Sequence, residues 1–162
     1  MTSHFSAGAI DLEGIDTKSD GKLDFSKKKE GVLREPDGVK WLTDDLFAVA
    51  NEGDYKGGSR SWTVFDRTGT VVYESGATLE HAIAEIGHYP EGRSKSKGVE
   101  LESVEAAVFD GTPLAFVASE RASVIGVYDV TDPAAPVLKQ LLPSGVSPEG
   151  MVAIPQRNLL AS

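Results

Sequence analysis

Glu35-Pro36-Asp37-Gly38-Val39 is followed, after a short gap, by Leu46-Phe47-Ala48-Val49-Ala50-Asn51-Glu52, and this pairing returns twice more along the chain. Glu100-Leu101-Glu102-Ser103-Val104 leads to Leu114-Ala115-Phe116-Val117-Ala118-Ser119-Glu120, and Ser147-Pro148-Glu149-Gly150-Met151 leads to Asn158-Leu159-Leu160-Ala161-Ser162. Each cassette reads as an acidic turn, an apolar strand, a loop, and a second apolar strand that ends in a small polar residue. Self-similarity over a few tens of residues marks a repeat architecture. The third copy stops one residue before the glutamate that closes the other two, so the chain reads as a piece of a longer protein.

Between and beyond the cassettes the sequence is β in character. Short runs rich in β-branched and aromatic residues alternate with Gly, Pro, Asp and Asn. The expected strands are 39–42, 46–50, 62–66 and 71–75, then 104–109, 114–118, 124–129 and 137–142, then 151–154 and 159–161. Arg67-Thr68-Gly69 and Asp110-Gly111 supply the positive φ that tight hairpins need. Asp132-Pro133 and Ala135-Pro136 end strands, because proline has no donor for a ladder. Residues 77–98 are surplus to the repeat, and there Leu79, Ala82, Ile83 and Ile86 fall at helical spacing, with Thr78 as a candidate N-cap.

These features predict an all-β fold: a partial β-propeller of about two and a half four-stranded antiparallel blades, with one short inserted helix. Residues 35–162 form the blades, cut short at the C-terminus. Residues 1–34 form an irregular N-terminal segment in which Phe5, Ile10, Leu12 and Ile15 suit one irregular strand and Lys27-Lys28-Lys29 a solvated edge. The rival architecture is a β-sandwich, which has no reason to repeat its turn chemistry. Open blade edges predict self-association.

The chain has 162 residues, enough for one domain with a sizeable core. Its 16 Lys+Arg against 25 Asp+Glu give a net charge of −9, which disfavours nucleic acid and anionic membranes as partners. Cysteine is absent, which removes disulfides, thiolate metal sites and cysteine nucleophiles. No apolar run approaches the ~20 residues of a membrane span, and no signal peptide opens the chain.

The repeated acids are the first candidates for chemistry: Asp37, Glu102 and Glu149 where strands begin, Glu52 and Glu120 where they end. Equivalent positions of successive blades converge on one axis, so these carboxylates would form a ring that needs a cation or shared protons. Oxygen-only ligands suit Ca²⁺ or Mg²⁺ better than zinc. The alternative is that each acid caps its own turn. In the loop 51–60, three glycines and Arg60 suit a phosphate or carboxylate ligand. Arg93 and Lys97, with His88 and Lys95 nearby, make a basic segment over 88–98 that reads as a mobile, ligand-facing loop and a second anion contact. Asp16, Asp20, Gly21 and Asp24 loosely follow a calcium-loop spacing, with lysines at two ligand positions. No Gly-x-Ser-x-Gly, P-loop or dinucleotide fingerprint occurs.

Six motifs carry a family resemblance: Arg34-Glu35-Pro36-Asp37-Gly38-Val39, Ala50-Asn51-Glu52-Gly53-Asp54, Arg93-Ser94-Lys95-Ser96-Lys97-Gly98-Val99-Glu100-Leu101-Glu102, Ser119-Glu120-Arg121, Val127-Tyr128-Asp129-Val130 and Ser147-Pro148-Glu149-Gly150. Through them the chain resembles the bacterial choice-of-anchor I proteins and the related esterase-like phytase domain proteins, over residues 34–162. Two positions depart from the pattern: Leu101 stands where the family usually has proline, and Lys95 near a usual acid. The resemblance implies an extracytoplasmic (periplasmic or secreted) β-propeller that binds calcium and hydrolyses phosphate esters in the manner of phytases or alkaline phosphatases. On this reading Asp37, Glu52, Glu102, Glu120 and Glu149 hold metal, and Arg60, Arg93 and Lys97 hold the phosphate ester or other small anion. The competing reading is a non-catalytic surface or adhesion propeller whose acids serve its turns, and a third is an esterase.

Overall fold

The computed structural model describes residues 6–55 and 58–162. Twelve strands and one α-helix make up the described residues. Strands β1 (Ala9–Ile15) and β2 (Lys27–Leu33) form a hairpin. Strands β3 (Pro36–Trp41), β4 (Leu46–Asn51), β5 (Trp62–Asp66) and β6 (Val71–Glu74) form a four-stranded antiparallel meander. Helix α1 (Thr78–Glu85) and a 3₁₀ turn over Glu91–Arg93 lead into a second meander, β7 (Leu101–Phe109), β8 (Thr112–Ser119), β9 (Val124–Asp129) and β10 (Val137–Pro143). A last hairpin joins β11 (Val152–Ile154) to β12 (Leu159–Ala161). Each four-stranded sheet is made of consecutive strands, so the Greek-key crossing of the sandwich rival does not occur in them. The sheets form an open series and do not close into a ring.

The two meanders are equivalent in detail. Pro36 pairs with Asn51 and Leu101 with Ser119, and in both sheets the register then slips. The slips place Asp37 and Glu102 in β-bulges at the same position of each sheet, and a bulge re-aims the side chain it carries. The following acids match too: Glu52 N–H donates to Glu35 O at 3.1 Å, and Glu120 N–H to Glu100 O at 2.9 Å.

The sheets pack face to face because their strands are apolar on both sides. Ala48, Ala50, Trp62 and Val64 of the first sheet meet Val104, Ala115, Val117 and Tyr128 of the second. The alternate residues Phe116, Ala118, Ile125 and Val127 face Met151 and Leu160 on the far side. Trp62 anchors the interface, its ring 4.8 Å from that of Tyr128 and 4.9 Å from that of Tyr73. Gly38 is needed where β3 meets β7, since a Cβ there would lie 2.7 Å from Ser103 Cα. Helix α1 buries Leu79 and Ile83 in the same core.

Three expectations change. Thr78 is the first helical residue and not the N-cap: Ala77 occupies that position, and the Thr78 hydroxyl donates to Ser75 O at 2.8 Å. The lysine run lies inside β2 and pairs with β1, whose two register slips make it the irregular strand expected there. Phe5 falls outside the described residues. Asp16, Asp20 and Asp24 do not converge: each accepts the amide two residues on, from Lys18, Lys22 and Ser26 at 3.0, 3.2 and 3.1 Å, which is ordinary turn capping.

Candidate functional site

The bulges at Asp37 and Glu102 and the strand ends at Glu52 and Glu120 bring four of the repeated acids to one end of the two sheets. A fifth, Glu100, is the hub, and it is 1% exposed. Its backbone is left-handed, with φ 55°. Glu100 Oε1 accepts from Lys97 Nζ at 2.6 Å, and Oε2 accepts from Arg121 Nε at 2.7 Å and Arg93 at 3.3 Å. Lys97 Nζ also donates to Glu52 Oε1 at 2.6 Å and reaches Asp54 Oδ1 at 3.2 Å. Arg121 Nη1 lies 3.0 Å from Glu120 Oε1. Carboxylate oxygens of Glu52, Glu100 and Glu102 all lie within 4.8 Å of one another.

This density of charge sets the protonation states. Burial pushes the Glu102 carboxyl up, and the negative charges of Glu52, Asp37, Glu120 and Glu100 push it further, to about 7. Its Oε2 is buried without a hydrogen-bond partner. Burial also raises Glu120, with Glu100 adding to the effect. Burial opposes ionisation of Glu100, but its bonds to Lys97 and Arg121 outweigh it and hold the carboxyl below its ordinary value. Burial opposes the charge on Lys97 too, yet the bonds to Glu100, Glu52 and Asp54 win and raise it. The six acids Asp37, Glu52, Asp54, Glu100, Glu102 and Glu120 thus face three bases, Lys97, Arg93 and Arg121.

Glu149 stands apart, exposed on the loop before β11. Arg60 is not a surface contact for an anion. Its side chain is fully buried, and its guanidinium donates to Ser94 O at 2.6 Å, Ser96 O at 2.9 Å and Asp16 O at 3.3 Å, with Glu80 Oε1 at 3.7 Å. The loop 51–60 that carries it includes residues 56 and 57, which lie outside the described residues. Arg93 and Lys97 pair with the acids themselves.

The segment 88–98 is not a free loop. Ser19 Oγ donates to Gly92 O at 2.9 Å and Gly21 N–H to Glu91 Oε1 at 2.7 Å, while Gly98, at φ 57°, leaves no room for a Cβ beside Glu80 and Arg60. These polar anchors lie 70 or more residues away in sequence, and Tyr89 of the same segment packs against the core and against Phe25. Sequence reasoning also passed over Glu100 as a ligand and Glu80 altogether. The signal for Glu100 was its place between Lys97 and Glu102 in a motif that repeats Glu35-Pro36-Asp37.

The fold and the cluster define an all-β repeat protein with an ion cluster at one end of its sheets. Residues 55–133 match the family model described as the choice-of-anchor I domain, and over that stretch the chain is similar to that family. The matched stretch contains Arg60, Lys97, Glu100, Glu102, Glu120 and Arg121. Choice-of-anchor domains are typically found in extracellular or surface-associated proteins. No curated protein matches the chain. No described helix is long and apolar enough to cross a membrane.

Proposed function

We propose that the chain is part of an extracytoplasmic, surface-associated β-propeller whose acid cluster binds a divalent cation, with calcium the best fit. Two successive four-stranded meanders followed by a further hairpin support the propeller reading. The observation that carries the cation reading is Glu102: its Oε2 is buried without a partner among four other carboxylates, while Lys97 pairs with Glu52, Asp54 and Glu100 and not with Glu102. The donors are oxygens, as a hard cation requires. Asp37, Glu102 and Glu120 are the acids that Lys97 does not reach, and Glu52 borders them.

Calcium added to the full chain should raise its melting temperature, and a chelator should reverse the rise. At about a hundredfold excess over Kd the stabilisation is about 2.7 kcal/mol, or roughly 5–10 °C for a chain of this size. An unchanged melting temperature in both Ca²⁺ and Mg²⁺ would leave the acids as structural parts of their turns.

Arg93 and Arg121 favour a second reading, hydrolysis of phosphate esters. Their side chains are 40% and 37% exposed beside the cluster, so both can offer N–H groups to an anion. A bound divalent cation supplies Lewis acidity at a phosphoryl oxygen. Chelator-sensitive release of phosphate from an aryl phosphate tests this reading, and its absence with calcium bound would leave a non-catalytic module.

A further inference from the structure

A buried arginine is costly unless its charge and donors are met; the Nε of Arg60 has no partner, and its two Nη groups spend their donors in an unusual way. Its Nη2 donates to the carbonyls of Ser94 and Ser96, at 2.6 and 2.9 Å, and its Nη1 to that of Asp16. Ser94 follows Arg93 and Ser96 precedes Lys97, so this one guanidinium grips the backbone on which two of the cluster's three bases ride. Two further features close the grip. Glu80, 1% exposed on α1, accepts Val99 N–H at 3.2 Å on the other side of Lys97 and faces Arg60 Nη1. Gly98 between them has no space for a side chain.

We infer that Arg60 is the positioning residue of the ion cluster: by holding the Ser94 and Ser96 carbonyls it seats the Lys97 ammonium among Glu52, Asp54 and Glu100, as a cation built into the chain. Lys97 is then the resident counter-ion of that side of the cluster, and a dissolved cation is left the Asp37, Glu102 and Glu120 side. This division rests on the cation reading, whereas the Arg60–Lys97 relation does not. Lysine cannot replace Arg60, since an ammonium lacks the planar fork that spans two carbonyls.

The reactivity of each lysine amine tests this directly. The full chain, free of metal and well below its melting temperature, is treated with an N-hydroxysuccinimide acetate and the acylation rate at each lysine is read by mass spectrometry. Lys97 should react several-fold slower than the exposed Lys22 and Lys139, because its ammonium is largely buried and held in ion pairs with Glu52, Asp54 and Glu100. Arg60→Lys should restore most of that factor at Lys97 while leaving Lys22 and Lys139 unchanged and unfolding cooperative, a local effect that general loosening would not produce. Should Arg60→Lys fail to fold, Gly98→Ala disturbs the same grip and should likewise expose Lys97. A wild-type Lys97 as reactive as Lys22, or a Lys97 that stays protected in a folded variant of either kind, would overturn the inference. Protection of Lys97 together with no response of the melting temperature to calcium would remove the cation reading and leave the role of Arg60 standing.

Discussion

Glu102→Gln should stabilise the protein at alkaline pH and do nothing in mild acid. The Glu102 carboxyl is raised from 4.5 to about 7, by burial first and then by Glu52, Asp37, Glu120 and Glu100. Below its ordinary value, both folded and unfolded chains hold the proton and the group contributes nothing. Between about pH 4.5 and 7 the folded chain holds a proton that the unfolded chain has lost, so stability falls as pH rises through that window. Above it the full penalty of the fifth charge remains. Unscreened, the displacement corresponds to about 3 kcal/mol. Solvent reaching this half-buried side chain reduces that to about 1–2 kcal/mol. Urea unfolding of the wild type and variant at about pH 4.5 and pH 8, without divalent cations, measures the difference. The variant should be the more stable by about 1–2 kcal/mol at the higher pH and equal to wild type at the lower. A variant less stable at pH 8, or a difference that does not change with pH, would refute the reasoning.

Lys97→Met removes the ammonium shared by Glu52 and Glu100 and should destabilise by about 3 kcal/mol. Because Glu100 is held below its ordinary value, that cost should be present in urea melts above the usual glutamate range and should shrink as pH falls through the depressed value. Gly38→Val forces a side chain against the β7 backbone and should cost about 1–3 kcal/mol in the same assay. Strand β12 pairs only with β11 among the described residues, so sedimentation velocity should show association that grows with concentration, and a uniform monomer would speak against pairing at that edge.

The strands were legible because their signals are local. Trp62–Asp66, Val124–Asp129 and Leu159–Ala161 lie where alternation and turn residues put them, and α1 fills the stretch in which Leu79 and Ile83 keep helical spacing. Strand β2 was hidden because Lys27-Lys28-Lys29 has the composition of a solvated surface, and only its pairing with β1 makes it a strand. The convergence of Asp37, Glu52, Glu102 and Glu120 follows from the repeat, since equivalent positions of adjacent sheets are neighbours. The destination of Arg60 does not. An arginine in a glycine-rich loop looks like an anion contact, and whether it points outward or inward depends on acceptors from residues 16, 94 and 96.

The repeat sets the cluster beside a plain turn at the equivalent position of the first sheet. Glu35 and Glu100 hold the same place, one residue before the paired Pro36 and Leu101, and each carbonyl accepts the amide of the acid that follows the next strand. Their side chains have different work. Glu35 Oε2 accepts Tyr55 N–H at 2.6 Å, which closes a neighbouring loop. Glu100 instead meets Lys97, Arg93 and Arg121. What separates them is residues 77–98, which precede the second cassette and have no counterpart before the first. That insert brings α1 with Glu80, the two bases and Gly98, and Arg60 ties it down from the first sheet. The inserted segment therefore supplies two of the three bases, with Arg121 the third, that let six carboxylates share one end of the sheets. The uncompensated remainder at Glu102 is where the cluster can still gain by binding something.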